Sequence, residues 1–139
     1  MFIISILLAV LSNVFYHLTL KFTPSEVNPA VSLFVTYSVA AILCLGLFSV
    51  FPLQQGLLAN IKSLNWASYA LGLAVLGLEV AFLFAYRSGW EISLAALIVN
   101  SSVSLILLPL GFAVFSEALT PVNLLGALLA IGGLVMVNL

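Results

Sequence analysis

Residues 66–86 read WASYALGLAVLGLEVAFLFAY, an uncharged apolar run apart from one acid, Glu79. A helix needs about 20 such residues to cross the roughly 30 Å hydrocarbon core of a bilayer, so the run reads as a membrane span with a carboxyl near its middle. Runs of the same kind lie on either side of it, over residues 1–20, 30–51, 92–115 and 122–139. Thr23-Pro24-Ser25-Glu26-Val27-Asn28-Pro29 breaks the first from the second. Thr120-Pro121 opens the last, with Thr120 as N-cap and Pro121 at the first helical position. The first run lacks a basic leader and a small-residue cleavage site, so it is expected to stay as a span. In the connection 52–65, Leu53, Leu57, Ile61 and Leu64 recur at helical spacing while Gln54, Gln55, Asn60 and Lys62 face elsewhere. That pattern predicts a short interfacial helix, with Trp66 anchoring the next span at the headgroups. The expected fold is an all-α membrane protein: one domain over 1–139, a bundle of five transmembrane helices with short loops.

Composition agrees. Of 139 residues, 65% are hydrophobic and 5% charged, and the mean hydropathy is +1.37. A soluble domain carries about 25% charged residues, and this chain has too few to cover a water-facing surface. With a formal net charge of -1 it has no basic patch for nucleic acid. Cys44 is the single cysteine and can form no intrachain disulfide. No metal-ligand spacing, phosphate loop, nucleophile elbow or paired carboxylates occur, so no metal, no cofactor and no enzymatic activity are expected.

Five spans put the termini on opposite sides of the membrane. Lys21 and Arg87 then share a side with the C-terminus, and Lys62 lies on the other. Positive-inside reasoning places the C-terminus in the cytoplasm, yet a bias of two against one is also what a dual-topology protein shows.

Polar side chains inside spans are costly, which makes their positions informative. In the first span Ser5, Ser12 and Tyr16 follow helical spacing, with Asn13 and His17 on the adjoining stripe. In the third, Gly72, Glu79 and Tyr86 fall near one line of the helix. In the fourth, Ser93, Asn100 and Ser104 share a face, Ser101 lies beside it, and Pro109 is set to kink the helix. Glu79 is the first candidate for binding a proton or a cationic group, or else a packing acid paired with His17. His17 is the second candidate, or else an interfacial side chain. Ser12, Asn13, Tyr16, Asn100, Ser101 and Ser104 are candidates for a substrate cavity, the fourth-span residues serving alternatively as interhelical hydrogen-bond partners. On the fifth span, Gly126, Ala130 and Gly133 let a neighbouring helix approach closely, for packing or dimerisation.

The last two spans, with Asn100-Ser101-Ser102-Val103-Ser104, Phe115-Ser116-Glu117-Ala118-Leu119-Thr120-Pro121 and Leu125-Gly126-Ala127-Leu128-Leu129-Ala130-Ile131-Gly132-Gly133, resemble the EamA-like repeat of the drug/metabolite transporter superfamily. Such repeats typically close with an acid, a Leu-Thr-Pro-like turn and a Gly-containing helix. Leu11-Ser12-Asn13, Lys21 and Asn28-Pro29 fit the opening of the repeat. The resemblance implies half of an inverted two-repeat transporter, completed by an antiparallel homodimer. The related small multidrug resistance branch has four spans and a Glu in the first, where this chain has Asn13, so a coupling role would fall to Glu79. The implied function is transport of a small metabolite or drug across a bacterial-type inner membrane by proton-coupled alternating access. The alternatives are a non-transporting membrane subunit and one half of a heterodimeric carrier.

Overall fold

The computed structural model describes residues 2–137, all helix and connecting segments with no strand among them. The helices are α1 (Phe2–Lys21), α2 (Pro29–Leu47), α3 (Leu57–Lys62), α4 (Trp66–Arg87), α5 (Ile92–Phe115) and α6 (Pro121–Val137). Four of them, α1, α2, α4 and α5, are long and apolar enough to cross a membrane. The chain is therefore a membrane-embedded helical protein. α6 is apolar and runs for 17 residues, and the last two residues of the expected fifth span lie outside the described ones.

Helix starts follow the local chemistry. The Asn28 side chain accepts from the Ala30 N–H at 2.9 Å, with Pro29 opening α2. The Asn65 side chain accepts from the Ala67 N–H at 3.0 Å at the start of α4. Thr120 caps α6 as expected, its Oγ1 accepting from the Asn123 N–H at 3.2 Å. α2 stops at Leu47, short of the expected residue 51. There the Ser49 hydroxyl donates to the Gly46 carbonyl at 2.7 Å and the chain winds into turns through Phe51. α5 continues through Pro109 and ends at Ser116, which takes φ 55 in the left-handed region. The Ser116 and Glu117 N–H groups both donate to the Gly111 carbonyl, closing the helix. The Glu117 carboxylate folds against Gly111, which a side chain there would displace.

Two compact units make up the chain, Met1–Ser88 and Gly89–Leu139. In the first, α4 packs on both α1 and α2. The buried residues of α4 are Glu79, Phe82, Leu83 and Tyr86, one stripe at the spacing i, i+3, i+4, i+7. Lys21 at the end of α1 donates to the Tyr86 carbonyl at 3.4 Å. Arg87 Nη2 donates to the carbonyls of Pro24 at 3.1 Å and Val27 at 2.8 Å in the α1–α2 connection. α1 thus runs parallel to α4 and α2 antiparallel, and Lys21 and Arg87 sit at one end while Lys62 of α3 lies in the connection at the other. In the second unit α5 packs on α6.

Few apolar side chains are buried: Leu33, Phe82, Leu83, Tyr86 and Ala95 among the described residues. In a bilayer the outward apolar faces meet acyl chains as apolar as themselves. Helices then associate through close packing and polar contacts, not through hiding hydrocarbon from water.

Candidate functional site

The first unit holds two buried polar side chains, His17 at 4% exposure and Glu79 at 8%. Both lie where α4 meets α1, and each has different neighbours. His17 sits among aromatic rings. Its Nδ1 is 2.8 Å from Tyr86 Oη, a buried hydrogen bond between α1 and α4. The His17 ring centroid is 4.8 Å from that of Phe82 and 5.0 Å from that of Tyr16, both edge-on. Lys21 Nζ stands over the Tyr86 ring, 5.4 Å from its centre, so a cation lies against the histidine's partner. His17 is therefore held by Tyr86, and the expected alternative pairing with Glu79 is replaced by this bond.

Glu79 keeps one carboxylate oxygen without a partner. Its Oε2 is buried and accepts no hydrogen bond. The hydroxyls of Tyr16 on α1 and Tyr37 on α2 are buried and unpaired as well. Tyr37 is the nearest candidate donor to the Glu79 carboxylate, close enough to interact with it. Tyr16 is within electrostatic reach of the same carboxylate. Unpaired polar atoms inside a membrane segment cost free energy, and three of them around one carboxyl call for a physical explanation. A pocket of about 120 Å³ adjoins them, lined by Tyr16, Thr19, Leu20, Thr23, Thr36 and Glu79. A larger one, about 430 Å³, opens at the end of the unit where Lys21 and Arg87 sit.

The remaining sequence candidates are dispersed. Residues 3–15 of α1 are exposed throughout, so Ser12 and Asn13 do not join Tyr16 and His17. The reason is that α1 gives buried or half-buried surface only in its last turns, at Tyr16, His17 and Leu20. Gly72 has open space where a side chain would stand, so it gives Glu79 no small neighbour. In the second unit Asn100 and Ser104 are exposed, and Ser104 Oγ donates to the Asn100 carbonyl of its own helix at 2.9 Å. Ser101 lines a pocket of about 160 Å³ together with Ala130 and Gly133, which places it with the small residues of α6. Gly126 and Gly133 have nothing within reach of an added Cβ.

Tyr37, Thr19, Thr23 and Thr36 belong to the Glu79 neighbourhood although no charge or motif marks them. Tyr37 lies four residues after Leu33, the buried residue of α2, and so on the same face of that helix. The described residues include no group of three His, Cys, Asp or Glu side chains able to hold a metal. Comparison with protein-family models, curated proteins and solved structures finds no match, so function is argued from these residues themselves.

Proposed function

We propose that the chain is a transmembrane transporter of small organic solutes, working by alternating access with Glu79 as the group that exchanges a proton for a cationic substrate. The observation that carries the proposal is the buried Glu79 carboxylate with an unpartnered oxygen, on a helix long enough to cross the membrane. An ionisable side chain at that depth is rare without a role in an ion or substrate pathway. A purely structural acid would be bonded, as His17 is to Tyr86.

In this reading α6 is a fifth span and α3 lies at the headgroups, exposing Leu57 and Ile61 to the acyl boundary. Lys21 and Arg87 against Lys62 leave a weak orientation signal, which suits an antiparallel homodimer whose two copies complete one midplane site. A bacterial-type inner membrane is the proposed location. Likeness of the Leu119-Thr120-Pro121 turn and the Gly-containing α6 to the EamA-like repeat points the same way.

The test uses purified protein in proteoliposomes carrying a pH gradient. A transported cationic solute should dissipate the gradient faster than in protein-free vesicles, and equal rates across a panel of small organic cations would end the proposal. A second reading, a non-transporting subunit of a larger complex, is favoured by the open surface around Gly126 and Gly133. It predicts an obligatory heterologous partner on purification, as would one half of a heterodimeric carrier, whereas a transporter of this design purifies as a homodimer.

A further inference from the structure

The cavity of about 430 Å³ lies where α1 and α4 end, and Lys21 and Arg87, the last residues of those two helices, both line it. Among the described residues no Asp or Glu lines it. Its side-chain hydroxyls are already engaged. That of Ser25 donates to Glu26, an acid outside the lining, at 3.1 Å, that of Thr23 to the Thr19 carbonyl at 3.4 Å, and Tyr86 Oη is held by His17. The side-chain donors that remain for an occupant belong to the two cations, and neither an ammonium nor a guanidinium can accept. Lys21 is exposed, and the bonds from Arg87 Nη2 to the Pro24 and Val27 carbonyls lie at exposed positions, so both charges stand within reach of the cavity. Those two bonds use two of the five guanidinium protons and hold its plane in place. An occupant of this cavity must therefore bring acceptors and negative charge.

We infer that this cavity, with Lys21 and Arg87 on its wall, is a binding site for a phosphate-type oxyanion, carried by the headgroup of an anionic membrane lipid or by free phosphate. Depth favours such a group. α1 and α4 are each long enough to cross a membrane, so their ends fall where the chain leaves the hydrocarbon and headgroups begin. Basic pockets between spanning helices at that level are where lipid phosphates bind. The helix C-termini oppose an anion, but each presents only about half a negative charge against a full positive charge on Lys21 and on Arg87. Volume agrees as well, since ligand pockets run from about 300 to 1,000 Å³. Leu20, Phe22 and Leu83 complete the lining and offer apolar surface beside the charges, as a lipid requires.

The site is separate from Glu79, which lies two turns back along α4, and does not rest on the transport reading. The experiment is native mass spectrometry of the purified full-length protein in neutral detergent, titrated with dioctanoylphosphatidylglycerol, with dioctanoylphosphatidylcholine or with inorganic phosphate. Expected are one saturable phosphatidylglycerol adduct per chain and weaker binding of phosphatidylcholine, whose choline cation faces Lys21 and Arg87. Affinity should fall by roughly threefold or more in Lys21→Gln and stay unchanged in Lys62→Gln and Glu79→Gln. Displacement of the lipid by inorganic phosphate supports the site with a free anion as its occupant, and persistence of the lipid supports it with a headgroup there. Absence of saturable binding of both phosphatidylglycerol and phosphate overturns the inference, as does equal affinity for the two lipids or an equal effect of Lys21→Gln and Lys62→Gln. Should Lys21→Gln fail to fold, unchanged affinity in Arg87→Gln overturns it equally.

Discussion

α4 and α5 are alike in sequence, each a long apolar helix with polar residues near its middle, yet those residues meet different fates. On α4, Glu79 lies on the same stripe as Phe82, Leu83 and Tyr86, and the stripe is covered from both sides by α1 and α2. On α5, Asn100 and Ser104 stay exposed and Ser104 turns back to its own helix, while only Ala95 and Gly111 are buried. Depth in the span does not separate them, since both sets are central. What differs is whether the polar group falls on the packed stripe, and whether it keeps a spare valence there. A hydroxyl can return its proton to the carbonyl one turn back. A carboxylate on a helix has no such local donor and must find one elsewhere.

Five substitutions probe this contrast. The largest effect is expected for Glu79→Gln, with solute-driven gradient collapse slowed by roughly tenfold or more, against less than about twofold for Ser104→Ala. Comparable losses in the two variants would erase the distinction between α4 and α5. Next is Tyr86→Phe, which leaves His17 Nδ1 unpaired among aromatic rings. It should lower stability by about 1 kcal/mol, within the range found for interhelical hydrogen bonds in membranes, read from unfolding in mixed detergent. Ser104→Ala in the same assay should change little, because its hydroxyl joins no second helix.

Arg87→Lys is expected to act more locally. The lysine ammonium is a strongly hydrated point charge on a flexible stem and lacks the planar guanidinium whose Nη2 donates to both the Pro24 and Val27 carbonyls, so the α1–α2 connection should loosen. Hydrogen exchange of the amides of residues 25–28 would accelerate severalfold while α5 and α6 are unaffected. The smallest effect is predicted for Gly126→Ala. Open space surrounds Gly126 and alanine favours helix by up to about 1 kcal/mol. The monomer should be no less stable, and the proposed homodimer should weaken if α6 forms its interface, as sedimentation in detergent would report.

The helices were legible from hydropathy because about 20 apolar residues have few uses except to span a bilayer, and the starts at Asn28, Asn65 and Thr120 follow from side-chain caps. The end of α2 was less so: residues 48–51 are apolar enough to continue, and only the Gly46 and Ser49 geometry shows the turn. Glu79 stood out because charge is conspicuous in an apolar run. Tyr37, Thr19 and Thr36 did not, since their importance depends on which faces of α1 and α2 meet α4, and a helix apolar all round leaves that choice undetermined. For the same reason Ser12 and Asn13 looked like companions of Tyr16 and His17 by spacing, although α1 buries only its last turns.

The central proposal is that Glu79, buried in the span with one oxygen unpartnered, is the carboxyl that exchanges protons. Of the four acids, Glu26, Glu91 and Glu117 are exposed and Glu79 alone is buried. Labelling with the apolar carbodiimide N,N′-dicyclohexylcarbodiimide in membranes, read residue by residue by mass spectrometry, tests that claim most directly. The account predicts modification at Glu79, slowed by any cationic solute that collapses the pH gradient in the proteoliposome test. An unmodified Glu79, or one whose labelling the solute leaves unchanged, would contradict it.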